Sequence, residues 1–313
     1  MLHKQGYIVD HLVASNCKII TKNNPFVNKQ IVLNLNDSKI KLLKLLSELK
    51  KNKYDIIFNF HRSNILTLFL FFIRPKEFYG FSNKLFFLYT NHILYSYNIN
   101  RTLQEFRLIK QMDNNLQLQK QLEYYPKKNI KLFNFNLPKI YITCNPGGGV
   151  NADSEMKSRR WLIEYYDIVF NKLDIPIVIL GNGEVDKYIS LKIKSKNIIN
   201  LVNQTTFDET ALIIKKSKLY FGNDSSLLFL ASAMGVKSLG IFGPTQARAA
   251  NPIGNKQFFI QSTVECSPCY NPYDGVNGKA YTCKDFICMK DITPVVVHQE
   301  IIKLLEWRED FDN

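Results

Sequence analysis

The sequence predicts two α/β domains, each built on a parallel sheet. Its 313 residues exceed what one core usually takes. Short apolar runs alternate with helical stretches, the pattern of parallel strands joined by crossover helices. Several runs stop at glycine-rich or small polar turns, as strands do where an open α/β sheet binds its ligand.

In the first third, Tyr7–Val13 and Ile31–Asn34 read as strands, Ile40–Leu49 as an amphipathic helix and Tyr54–Phe60 as a buried strand. The run Ile65–Ile73 is far shorter than the ~20 residues that span a bilayer, and it predicts a buried helix. Gln- and Asn-rich sequence from Gln111 to Asn129 marks an interdomain crossing, which puts the domains at 1–130 and 131–313. A second series follows. Lys139–Cys144 is a strand ending in Asn145-Pro146-Gly147-Gly148-Gly149, and Arg160–Tyr166 starts a helix with Trp161 as a packing anchor. Ile175–Leu180 is a strand ending in Gly181-Asn182-Gly183-Glu184, and Leu219–Phe221 and Ser238–Phe242 continue the pattern. The terminal helix, Pro294–Glu306, is expected to pack back towards the N-terminal domain.

The turn Gly222-Asn223-Asp224-Ser225-Ser226, between an apolar strand and an Ala-containing helix, reads as a phosphate cradle. Free N–H groups and the positive dipole end of the helix would face an anion there. Asp224 repels phosphate and suits orienting backbone groups, capping the helix or accepting from a donor hydroxyl. The formal charge of +14 favours anionic partners: nucleotides, nucleic acid or an anionic membrane face. A genome rich in Lys, Asn and Ile codons explains it equally well. No nucleic-acid recognition motif accompanies the charge. The N-terminus lacks a signal-peptide pattern, so cytoplasmic residence and reduced cysteines are expected. Cys17 and Cys144 read as core residues. Cys266, Cys269, Cys283 and Cys288 have three readings: reduced structural thiols, a zinc cluster or disulfides. Gly147–Gly149 could be only a tight turn, Arg159 and Arg160 a solvated helix start, and His61-Arg62-Ser63 an acceptor-facing or plain surface loop.

These motifs, in this order, resemble glycosyltransferase family 9, the lipopolysaccharide heptosyltransferases. The resemblance runs through Tyr54-Asp55-Ile56-Ile57, Arg74 to Gly80, Pro146-Gly147-Gly148, Arg159-Arg160-Trp161, Leu180–Glu184, Asn223-Asp224-Ser225, Phe242–Thr245 and the Cys-rich tail. It implies a GT-B architecture, two Rossmann-like domains facing a cleft. The activity it implies is inverting transfer of heptose from ADP-heptose to the lipopolysaccharide inner core at the cytoplasmic face of the inner membrane, with peripheral membrane contact, no required cofactor and no nucleic acid. By the same resemblance Gly147 and Gly148 approach the donor, Arg159 lies by its phosphates, Glu184 lies by the nucleoside, and Asp224, Ser225 and Ser226 hold diphosphate and sugar.

The sequence departs from the family twice. The usual Asp-Ser/Thr-Gly-x-x-His pattern reads Asp224-Ser225-Ser226-Leu227-Leu228-Phe229, so Ser replaces Gly and Phe replaces His. The family's opening strand, ending in a Gly-Asp turn with the expected general base, has no counterpart, which leaves the N-terminal domain incomplete and the catalytic residue unknown. Asp10 and His11 are nearby ionisable groups without an assigned role. If that strand is encoded ahead of Met1, an active enzyme is expected. The alternatives are an inactive nucleotide-sugar-binding remnant and, more remotely, a basic nucleic-acid-binding protein.

Overall fold

The structure, a computed structural model, describes residues 2–119, 121–151, 154–271 and 277–307. It divides into two compact units, residues 1–119 and 120–313. The break falls inside the polar stretch but ahead of the 130/131 boundary, because Tyr124 is buried in the second unit's core and donates to Asp208 Oδ1 at 2.5 Å.

The first unit runs β1 (Asp10–Ala14), α1 (Lys18–Thr21), β2 (Lys29–Leu33), α2 (Lys39–Lys51), β3 (Ile56–Asn59), α3 (Asn64–Phe71), β4 (Glu77–Phe81), β5 (Asn91–Ile93) and α4 (Arg101–Ile109). Ser38 and Ser63 cap α2 and α3 by accepting from Lys41 and Leu66 N–H. The strands are parallel but form two separate sheets, β1-β2 and β3-β4-β5. Between β1 and β3 lies an apolar cavity of about 490 Å³, lined by Leu12, Ile31, Leu49, Ile57 and Leu70. Among the described residues β1 pairs only with β2, and β3 only with β4. The expected burial of Ile65–Ile73 holds for one side only. Leu70 and Ile73 enter the core, while Ile65, Leu68, Phe71 and Phe72 are exposed. Cys17, expected in the core, is exposed in the turn before α1.

The second unit runs β6 (Ile142–Asn145), β7 (Val150–Asn151), β8 (Ser154–Glu155), α5 (Ile163–Lys172), β9 (Ile177–Ile179), α6 (Glu184–Ser190), β10 (Ile198–Asn200), α7 (Phe207–Lys216), β11 (Tyr220–Asn223) and α8 (Ser226–Ala233). It continues through β12 (Ser238–Phe242), α9 (Ala247–Ala250), β13 (Gln257–Gln261), α10 (Lys279–Thr282), α11 (Ile287–Asp291) and α12 (Pro294–Glu306). Six parallel strands take the order β10-β9-β6-β11-β12-β13, the doubly wound arrangement whose direction reverses between β6 and β11. Side-chain alternation builds a core on each face. Ile142, Cys144, Ile177, Ile179, Leu219 and Phe221 meet α5 and α12 on one side. Tyr141, Val178, Leu180 and Tyr220 meet α7 and α8 on the other. Thr206 and Glu209 form a capping box on α7. The terminal helix α12, capped by Thr293 with Pro294 in its first turn, packs on α5 of its own unit. Its Val297, Ile301 and Leu304 complete that unit's core.

Candidate functional site

The reversal point of a doubly wound sheet leaves a crevice beyond the carboxyl ends of its two central strands. Here those ends are Asn145, closing β6, and Asn223, closing β11. Parallel pairing sets Gly222 beside Asn145, so the Asn145–Gly149 and Asn223–Ser226 turns leave the sheet together. Gly148 and Gly149 take φ of +84° and +73°, a region that disfavours side chains. A Cβ on Gly147 would run into the Asp186 carboxylate. The glycines therefore serve close backbone approach as well as a turn.

Two side chains brace this backbone. Asn223 is fully buried and uses all four of its hydrogen-bonding positions. Its Oδ1 accepts from Trp161 N–H at 2.9 Å and Tyr166 O–H at 3.0 Å, while Nδ2 donates to the Pro146 and Gly147 carbonyls at 2.9 and 2.8 Å. Asp186, in the first turn of α6, accepts from Gly148 N–H at 2.9 Å on one oxygen. Its other oxygen accepts from Asn182 N–H at 2.9 Å and Asn145 Nδ2 at 3.3 Å. One carboxylate thus ties the β6 turn to the β9 turn, at a helix start that favours negative charge. Neither brace was assigned a role from sequence. The available signal for Asp186 was an acid in the first helical turn after Gly181-Asn182-Gly183.

Beside these turns opens a cavity of about 780 Å³, lined by Gly148, Glu184, Asp186, Thr206, Ser225 and Ser226 among others. Its volume falls within the ~300–1,000 Å³ of small-ligand pockets. Of the predicted donor residues, Gly148, Glu184, Ser225 and Ser226 line it. Gly147 lies behind it against Asp186. Arg159 and Asp224 pair with each other at 3.4 Å, and the Arg159 guanidinium lies 5.3 Å from the Tyr270 ring centroid. The Arg159 Nε is close enough for an ion pair, yet is buried without a hydrogen bond. Asp224 is not the cap of α8. Ser225 occupies that position and makes no side-chain cap bond, so the first N–H groups of α8 keep their anion-binding character. Arg160 donates from Nε to the Gly148 carbonyl at 2.8 Å and pairs with Glu155 at 2.7 Å. Neither arginine is the solvated helix start offered as an alternative, and α5 begins later, at Ile163. Phe229 is half-buried on α8.

The remaining candidates are not among the residues that line this cavity. In the first unit Asp10 accepts from Tyr54 O–H and Asn28 Nδ2, each at 2.8 Å. Burial and then that bond push Tyr54 up to about 12. Burial lowers the His11 pKa, with Asp10 partly opposing. His61 Nδ1 accepts from Ser63 N–H at 3.1 Å, shaping the start of α3; burial and then Arg62 and Arg101 lower its pKa. Arg62 stacks on Tyr95 and Tyr97. In the tail, burial raises the thiol pKa of Cys269 and lifts that of Cys288 to about 11, with neighbouring cysteines adding to both. All four tail cysteines are free, and among the described residues no three His, Cys, Asp or Glu side chains are grouped to hold a metal.

A doubly wound unit with a glycine-lined crevice at its reversal point, in one chain with a second α/β unit, defines a protein of the GT-B class with two Rossmann-like units. The profile of glycosyltransferase family 9 (heptosyltransferase) matches residues 42–277. The chain belongs to that family, as its motifs indicated. It is 26% identical over 289 residues to lipooligosaccharide heptosyltransferase 2 of Campylobacter jejuni serotype O:6, across 89% of this chain and 84% of that protein. The serotype O:2 counterpart is equally similar, 26% over 292 residues, across 90% and 84%. Among solved structures, ADP-heptose lps heptosyltransferase II of E. coli superposes with a TM-score of 0.72 at 18% identity, covering 96% of this chain and 91% of that one. E. coli heptosyltransferase WaaC with ADP gives 0.71 at 13% identity, covering 97% and 92%.

Proposed function

We propose that this chain transfers heptose from ADP-heptose to the lipopolysaccharide inner core, with inversion, at the cytoplasmic face of the inner membrane. The observation that carries the reading is the crevice at the β6/β11 reversal point, with fixed glycine turns, an uncapped helix start and an arginine, Arg159, whose buried Nε has no hydrogen bond. On this reading the adenosine lies along the Glu184 side, and the diphosphate meets the Gly148 turn and the Ser225–Ser226 helix start. Arg159 turns from Asp224 to the phosphates. The acceptor oxygen attacks the anomeric carbon opposite the departing ADP, and the negative charge that develops is met by Arg159 and backbone N–H groups. The solved WaaC complexes contain ADP and ADP-2-deoxy-2-fluoro heptose, which supports an ADP-sugar as the donor class.

The separated sheets of the first unit and Phe229 favour a second reading, in which the chain binds the donor without turning it over. One experiment separates the two: titrate the purified protein with ADP-heptose, then supply a heptose-deficient lipopolysaccharide acceptor. Binding with transfer supports the enzyme, and binding without transfer supports the remnant. Salt-sensitive RNA binding with no affinity for ADP-heptose would sink both.

A further inference from the structure

We propose that Tyr270 is a positioning residue for the diphosphate of the donor: its ring holds the Arg159 guanidinium in place and leaves the N–H groups of that guanidinium for phosphate oxygens. The proposal rests on the functional reading, which puts Arg159 by the donor phosphates. Arg159 closes a short 3-10 turn, Lys157–Arg159, behind the glycine turn that follows β6. Met156 N–H donates to the Gly149 carbonyl at 2.7 Å, Arg159 N–H donates to the Met156 carbonyl at 3.2 Å, and a Cβ on Gly149 would come within 3.8 Å of the Arg159 Cβ. The base of the side chain is therefore fixed beside the glycine backbone. Its head is held more loosely. Nε approaches Asp224 Oδ2 at 3.4 Å without a hydrogen bond, and the guanidinium centre lies 5.3 Å from the Tyr270 ring centroid, inside the ~6 Å reach of a cation–π contact. The Arg159 side chain is only 18% exposed, and such a contact strengthens as water is removed from it.

Tyr270 is itself anchored from two sides. The Pro244 carbonyl, in the turn that closes β12, accepts from Cys269 N–H at 3.0 Å and from Tyr270 N–H at 2.8 Å. Tyr281 of α10 packs against the Tyr270 ring, with centroids 6.3 Å apart. The Ser158 hydroxyl donates to the Ala280 carbonyl, which ties α10 back to the turn that carries Arg159. Contacts therefore run from the end of β12 through Pro244 and Tyr270 to Arg159, and on to Asp224 at the end of β11, the neighbouring parallel strand. A ring face suits this place better than another acid. A second carboxylate would neutralise Arg159 and repel the diphosphate, whereas the ring attracts the cation through its quadrupole and carries no net charge. The five N–H donors of a guanidinium lie in its own plane, and a ring face consumes none of them.

The test is a double-mutant cycle on the full chain, read as ADP affinity by calorimetry, with adenosine as the ligand that lacks phosphate. Arg159→Ala is expected to weaken ADP about tenfold or more. Tyr270→Leu keeps bulk but removes the π face, and should weaken ADP about fivefold in the parent and by less than about twofold in the Arg159→Ala background. Tyr270→Phe keeps the face and should stay within about twofold of the parent. Adenosine affinity should stay within about twofold throughout, which a misfolded or generally loosened variant would not show. A Tyr270→Leu loss that is the same in both backgrounds, or that extends to adenosine, overturns the proposal and leaves Arg159 at the phosphates. A Tyr270→Phe loss as large as that of Tyr270→Leu also overturns it, because the hydroxyl and not the ring would then carry the effect. ADP affinity indifferent to Arg159→Ala removes Arg159 from the phosphates and the role of Tyr270 with it. ADP binding that shows the expected cycle without any transfer to an acceptor supports the positioning role, while the transfer reading fails.

Discussion

Replacing Asp186 by Ala removes one carboxylate and disconnects two turns. The side chain accepts two backbone N–H bonds at 2.9 Å and a longer one from Asn145 at 3.3 Å. Hydrogen bonds to a charged group contribute about 1.5–3 kcal/mol each. Water from the adjoining cavity can satisfy part of what is exposed, so the lower end applies, and the two short bonds together give about 3 kcal/mol. Urea unfolding followed by tryptophan fluorescence measures this, because Trp161 is 1% exposed in the same unit. The Gly148 and Asn182 backbones would lose their common anchor. ADP affinity is therefore expected to fall at least tenfold, about 1.4 kcal/mol. Asp186→Asn keeps one acceptor oxygen and turns an amide donor towards the other N–H, so an intermediate loss is expected. An Asp186→Ala protein that unfolds within about 0.5 kcal/mol of the parent and binds ADP equally well would refute the bracing role.

Asn223→Ala should be harsher, since it strands the Trp161 N–H, the Tyr166 hydroxyl and two carbonyls in a buried site. At about 1–3 kcal/mol for each buried group left unpaired, a loss of at least 3 kcal/mol is expected, read from the urea midpoint, and a loss under about 1 would contradict the assignment. Phe229→His restores the imidazole of the family pattern, and a new charge-assisted bond should tighten ADP-heptose binding about tenfold by calorimetry. Unchanged affinity would show that residue 229 does not reach the donor. Acid should weaken the first unit. The folded-state pKa values of His11 and His61 are lowered by burial, so the unfolded chain binds more protons. Their contribution is present above the unfolded value near 6.5 and is lost as pH falls through the lower folded values. His11→Gln should flatten the urea midpoint between about pH 7.5 and pH 5, and an unaltered slope counts against the assignment.

What the sequence made legible were features that repeat or that need a special residue. The strands β6, β9, β11 and β12 are short Ile-, Leu-, Phe- and Tyr-rich runs, and their turns announce themselves because positive φ at Gly148 and Gly149 calls for glycine. Side chains that act through backbone were not legible. Asp186 and Asn223 work by reaching carbonyls and N–H groups on other strands, and no local spacing encodes such a partner. An acid beside an anion site also reads as unfavourable until its N–H partners are seen. Apolar runs show burial without showing its extent, which is why α3 was expected to be wholly internal. The domain boundary shifted for a similar reason. Tyr124 lies in polar sequence, yet its ring packs near Phe207 and its hydroxyl finds Asp208.

The second unit separates rigid from adjustable parts in a way that bears on donor binding. Asn145 reaches the Leu180 carbonyl at the end of β9, and Asn223 reaches the carbonyls that follow β6, so three neighbouring strand ends are stapled by two amides. The N–H groups facing the cavity are thereby fixed before any ligand arrives, which spares binding the cost of ordering them. The positive charge is held differently. Arg160 is locked by the Gly148 carbonyl and Glu155, whereas Arg159 rests on one imperfectly aligned pair with Asp224 and on the face of Tyr270. On the proposed function, Arg159 is the cation free to follow the charge that grows on the leaving diphosphate, while Arg160 keeps the turn in place. Arg159→Lys should then lower turnover more than ADP affinity, because a point charge can meet the bound diphosphate but lacks the guanidinium fork that tracks its oxygens. Equal losses in turnover and affinity would instead mark Arg159 as a ground-state binding group.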